Sequence, residues 1–129
     1  MRYYIDLVIS MVGAILGALF GKLDGLLIAL LVFMALDYIT GVINAIYSKS
    51  LSSEVGFKGL LRKALILIVV IVGHILDIYV LKVGSTVRSA VCLFYISNEG
   101  ISILENAANI GLPLPEKLKK ILEEVLKDD

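Results

Sequence analysis

The chain has 129 residues, about one domain's worth, with twelve basic and twelve acidic side chains and a formal net charge of +0. Its hydrophobic fraction is 59%, only 19% is charged and the mean hydropathy is +0.95; soluble domains hold about 45–50% apolar residues and have too much surface to hide more. The composition therefore reads as an all-α integral membrane protein, and it excludes a dedicated nucleic-acid binder, a disulfide framework or thiolate zinc site (one cysteine, Cys92) and a His-based metal cluster (one histidine, His74), so neither metal nor cofactor is expected.

Four apolar runs follow in chain order. The first, Leu7 to Gly21, has 15 residues and is short for a span unless Tyr3 and Tyr4 carry it into the headgroups. It does not read as a cleaved signal, because its basic flank is Arg2 alone and no clean A-x-A site follows. Gly13, Gly17, Gly21 and Gly25 recur every four residues, and on a helix they form a smooth groove for close approach of another backbone. That helix belongs either to a second copy or to the same chain.

The second run, Gly25 to Tyr47, is broken only by Asp37, and Asp37, Thr40, Gly41, Asn44 and Ser48 share one helical face. The third, Ala64 to Leu81, holds His74 and Asp77 and is flanked by Lys63 and Lys82, which can snorkel to the headgroups. The fourth begins near Arg88 and fades near Ile110. Its polar series Tyr95, Asn98, Glu99, Ser102, Glu105, Asn106 and Asn109 falls within an arc of about 120°. Asp37, His74 and Glu99 each sit near the middle of a run, which places all three near the bilayer centre. There a charge costs about 2.5–3.5 kcal/mol, so they should face protein or water. Either the stripes line an aqueous pore that exists only in an assembly, or they bond across helices and hold one subunit together. Asp37, Asn44, His74, Asp77, Asn98, Glu99, Ser102 and Glu105 are the candidate residues of that polar face.

Leu112-Pro113-Leu114-Pro115 breaks the pattern. A helix should start at Pro115, with Leu118, Ile121, Leu122, Val125 and Leu126 on its apolar face. The organisation is then a transmembrane helical domain over 1–112 and a cytoplasmic amphipathic helix over 113–129. Four spans put Arg2, Lys49, Lys58, Arg62, Lys63, Lys117, Lys119, Lys120 and Lys127 on one side and Lys22, Lys82 and Arg88 on the other. The basic side is the cytoplasm, which therefore holds both termini. The alternative, three spans with the first run lying on the surface, splits the basic middle loop from the basic tail.

No phosphate loop or nucleophile–base set stands on polar ground, so no catalytic residue is assigned and an enzyme is not expected. The strings Leu36-Asp37-Tyr38-Ile39-Thr40-Gly41-Val42-Ile43, Leu51-Ser52-Ser53-Glu54-Val55-Gly56-Phe57-Lys58-Gly59 and Phe94-Tyr95-Ile96-Ser97-Asn98-Glu99-Gly100-Ile101-Ser102-Ile103-Leu104-Glu105-Asn106 are distinctive in this order and spacing. With Gly111 to Pro115, they make the chain resemble the phage-lysis and toxin-secretion holins of Gram-positive bacteria and their phages. The resemblance implies a homo-oligomer in the bacterial cytoplasmic membrane that opens large lesions. An endolysin then reaches the wall for host cell lysis, or a large toxin leaves, as cargo rather than bound ligand. It also implies that Asp37, Asn98, Glu99 and Glu105 are polar residues of assembling helices and that Gly41 and Gly100 are close-packing positions. The tail departs from the strongly basic tail of many holins, ending Lys127-Asp128-Asp129. A small ion or proton channel, or an accessory membrane subunit, is the competing function.

Overall fold

A computed structural model describes residues 1–128, with side chains described through 124. All six regular elements among the described residues are helical, five α-helices and one π-helical segment. The first, α1 (Arg2–Phe20), ends at Gly21, whose φ of +80° suits a residue without Cβ and whose N–H returns to the Gly17 carbonyl. Asp24 caps the next helix, α2 (Gly25–Tyr47), by accepting the Leu27 N–H at 3.0 Å. Ser52 caps α3 (Ser53–Ile75) through the Val55 N–H. This helix continues as a π-helical segment, Leu76–Leu81, and stops at Lys82 in the left-handed region. Then come α4 (Thr86–Asn109) and, after the Pro113–Pro115 breaker, α5 (Glu116–Asp128). The helix expected from Pro115 is therefore present; the side chains of Val125, Leu126 and Lys127, and all of Asp129, lie outside the described residues.

Helices α2 and α4 lie side by side and run the same way, with Arg88 beside Asp24 at one end and Asn106 beside Thr40 at the other. The opposite direction is taken by α3, which puts Lys63 by Asp37 and Gly73 against the Arg88 backbone. Among the described residues, α1 lies along α3, and its end at Phe20 meets the core and Arg88 of α4. Leu27, Leu30, Met34, Ile66, Val70 and Cys92 form the buried core between α2, α3 and α4. The tail helix α5 doubles back along α4 and seats Leu122 over Gly100. A Cβ there would lie 3.0 Å from Leu122 and 3.1 Å from Phe33, so this glycine is a notch rather than a spacer.

Among the described residues, three helices are long and apolar enough to cross a membrane: α1, α2 and α3 with its π-helical end. The exception is the fourth run. Although α4 has 24 residues, about 36 Å of helix, it carries Arg88, Glu99 and Glu105. Arg88 and Glu99 are covered by neighbouring helices, so α4 need not be apolar all round, while Glu105 is exposed.

One end of the bundle is held by Arg88, which is 2% exposed. Its guanidinium donates to the carbonyls of Phe20 (2.6 Å) and Lys22 (2.7 Å) and to the Asp24 carboxylate (2.8 Å). It thus takes up a carbonyl that the end of α1 leaves open. Asp77, fully buried, accepts the N–H groups of Val87 (2.9 Å) and Arg88 (2.8 Å). It caps α4 from a different helix, a task that Ser85 at the cap position leaves undone. The hydrogen bond from Arg88 holds the Asp24 carboxyl below the usual carboxylate range. A depressed carboxylate stabilises the fold above its unfolded pKa of about 4 and loses that contribution as pH falls through the folded value. Arg88→Met should cost about 3 kcal/mol in detergent unfolding and abolish Asp24's share of the acid sensitivity. Unchanged melting across pH 2–7 would refute the clamp.

Candidate functional site

The site is built from three helices. The middle of α2 offers Asp37, α4 offers Glu99, and α3 answers both with Lys63. The Lys63 ammonium donates to Asp37 Oδ2 at 2.6 Å and to both Glu99 oxygens at 3.2 Å. Side-chain exposures of 14% for Lys63, 15% for Asp37 and 6% for Glu99 put this pairing in the bundle rather than on its surface. Asn106 Nδ2 donates to Asp37 Oδ1 (3.3 Å) and to Thr40 Oγ1 (3.0 Å), and Thr40 donates to the Asp37 carbonyl (3.1 Å). One ammonium thus serves two carboxylates. Breaking such a pair by removing one member strands charge in a low-dielectric region, which costs far more than the pair itself gains.

Two cavities flank the cluster. The larger, about 230 Å³, runs between α2 and α3 from Leu51 and Ser52 to Lys63, with Ser102 and Asn106 of α4 on its wall. The smaller, about 160 Å³, is lined by Asn98, Glu99, Arg62 and Lys63. Asp37, Asn98, Glu99 and Ser102 are therefore brought together. Asn44 is half-buried on α2 outside the network, and Glu105 is exposed. His74 and Asp77 belong to the other end. The His74 ring sits 2.8 Å from where a Gly21 Cβ would be, and Asp77 caps α4. Asp37 and Glu99 thus stand at one level of the bundle, beside Lys63, and His74 stands at the other end. Thirteen residues of α2 separate Asp24 at His74's end from Asp37, about 20 Å of helix.

The glycines divide in the same way. Gly13, Gly17 and Gly25 have open space where a side chain would stand. Gly13, Gly17 and Gly21 line an apolar cleft of about 580 Å³ closed on its other side by Leu27, Leu31 and Leu67. A Cβ on Gly41 would lie 3.7 Å from Asn106 Nδ2, and Gly100 receives Leu122.

Lys63 and Arg88 carry more than the sequence pattern assigns them. Each reads there as a basic flank; each is the centre of a polar layer. The signal that points to them is stoichiometric: carboxylates within apolar runs require a basic partner, and Lys63 and Arg88 stand, with Lys22 and Lys82, at the ends of those runs.

A sequence profile of the bacteriophage holin family matches residues 14–127. An uncharacterised 14.9 kDa protein from the nagH 3' region of Clostridium perfringens is 47% identical over 93 residues, covering 72% of this chain and 70% of its own. An uncharacterised protein of Clostridium acetobutylicum is 42% identical over 93 residues, 72% of this chain and 74% of its own. A protein of Bacillus phage phi105 named a probable holin is 39% identical over 94 residues, 73% of this chain and 69% of its own. No solved structure matches.

Lys63→Met should destabilise the bundle by about 3–5 kcal/mol, and Asp37→Leu with Glu99→Leu in the same chain should restore most of the loss. Equal unfolding free energies for Lys63→Met and the native protein in detergent would remove the cluster from the fold's support.

Proposed function

This chain belongs to the bacteriophage holin family, and from that premise we propose that it accumulates in the bacterial cytoplasmic membrane, oligomerises and opens lesions large enough to pass an endolysin or a toxin. It acts by assembly and not by catalysis. The observation that carries the reading is the sharing of Lys63 by Asp37 and Glu99 among helices that face lipid on their outer sides.

Dilute subunits satisfy these groups internally. At a threshold density, contact between copies lets the carboxylates and the α4 stripe exchange internal partners for water held among several subunits. Such an exchange is close to balanced, since buried ion pairs gain little over hydration. A small increment from subunit contacts then tips it, which suits a lesion that forms abruptly with accumulation. Four spans, α1 to α4, fit this reading, because the charges of α4 that are buried lie against the other helices and not against lipid. The nine-to-three division of basic residues supports both termini on the cytoplasmic face. The open flank of α1 at Gly13 and Gly17 supports its use as a contact between copies, where backbones approach closely enough for dispersion and Cα–H···O contacts to hold them.

Induced alone, the protein should stop growth abruptly and release a co-expressed cytoplasmic endolysin. A selective channel would instead shift ion gradients and retain the enzyme. Asp37→Leu and Glu99→Leu should each insert normally and lose lysis; native lysis timing in both variants would exclude the cluster from the mechanism. Gly17→Leu should change the ladder of cross-linked species extracted in detergent, and an identical ladder would rule out α1 as an intersubunit surface. An adjacent amidase, muramidase or toxin reading frame would identify the cargo.

A further inference from the structure

We infer that each single subunit carries a water-filled vestibule that enters between α2 and α3 at the Leu51–Ser52 turn and ends blindly on the Lys63–Asp37–Glu99 cluster. This goes beyond lesion formation and does not require it. Three observations converge. The first is the cavity itself. Its walls step along α3 from Val55 through Gly56 and Gly59 to Lys63, and along α2 from Ala45 through Gly41 to Asp37. Ten residues on each helix, from Tyr47 to Asp37 and from Ser53 to Lys63, give a depth of about 15 Å. Gly41, Gly56 and Gly59 keep the space clear, and a Cβ on Gly56 would come within 3.2 Å of the Tyr38 hydroxyl.

The second observation fixes what fills it. The outer face of this half of α3 carries Glu54, Lys58 and Arg62, all exposed, with Lys58 bonded to Glu54 at 3.2 Å on the surface. Charges so placed belong in water or headgroups and not among acyl chains. The cavity therefore lies at a level where water stands outside, and Lys63 is the last residue before the apolar stretch begins at Ala64. The third is unspent hydrogen-bonding capacity. Each carboxylate offers about four acceptor positions. Both Glu99 oxygens accept from one ammonium, and Asp37 accepts from that ammonium and from Asn106 Nδ2, with the Ser102 hydroxyl beside it. The positions left over face the two cavities, where water completes them. The smaller cavity is lined by the polar side chains of Arg62, Asn98 and Ser102 as well as by the cluster itself, a lining that suits water. Beyond the cluster, Ile66, Leu30, Val70 and Cys92 close the path with buried apolar groups.

The test is thiol accessibility in sealed membrane vesicles of known sidedness, at expression below the level that affects growth. Gly59→Cys with Cys92→Ala places a thiol on both cavities at a position whose Cβ meets nothing nearer than 3.9 Å. A cationic methanethiosulfonate should modify it about a hundredfold faster than a thiol at the lipid-exposed position, Ile68→Cys, or than native Cys92, and from one membrane face only. Ser102→Cys, which lines both cavities from α4, gives a second reading should the first variant fail to insert. A rate no faster than that of Ile68→Cys at both sites overturns the vestibule, and modification from both faces overturns its blind end. Failure to release endolysin with the accessibility pattern intact would count against the holin mechanism and leave the vestibule standing.

Discussion

A charge buried among helices has no inexpensive alternative to a partner, and in this protein one lysine is divided between two acids from two other helices. Lys63 reaches Asp37 and Glu99 at once, so the positions of α2, α3 and α4 are mutually determined: sliding or turning any of them strands at least one charge. Asn106 and Thr40 add directional bonds that hold the Asp37 carboxylate in place. The stabilisation gained is modest beside what an apolar core offers. The penalty for misalignment is large, and that asymmetry sets the register.

A second polar layer at the opposite end repeats the arrangement with different parts. There Arg88 and Asp77 act on backbone as much as on side chains. Arg88 binds carbonyls of the α1–α2 connection, and Asp77 binds the first amides of α4. Between the layers lies the apolar core of Leu27, Leu30, Met34, Ile66, Val70 and Cys92. Polar ties at both ends and a dry centre let dispersion contacts fill the middle without having to specify the register alone.

Much of this was legible in the residues themselves. Gly21, Asp24, Ser52 and the Pro113–Pro115 breaker mark helix ends by local chemistry, and the apolar runs between them give the helices. The pairing of Asp37 and Glu99 in one site also follows from the positions of the two stripes. Harder to read were the partners. Periodicity states which face of a helix is polar, but not its height against a neighbour. His74, equally central in its own run, therefore falls in the other layer, beside Gly21. Lys63 looks like a flank because it ends an apolar run, yet that position brings it to the acids on the adjacent helices. The π-helical turn at Leu76–Leu81 has no local signal; its effect is visible only in Asp77, whose carboxylate reaches the start of α4. The return of α5 onto α4 likewise depends on Gly100 and Leu122, 22 positions apart and bonded by nothing but fit.

That fit bears on how the protein is made. Leu122 belongs to α5, a thirteen-residue helix that is made after α4. The notch at Gly100 is therefore open until α5 has been made and has folded back. Each newly made copy passes through a stage in which α4 is complete but one of its flanks is bare.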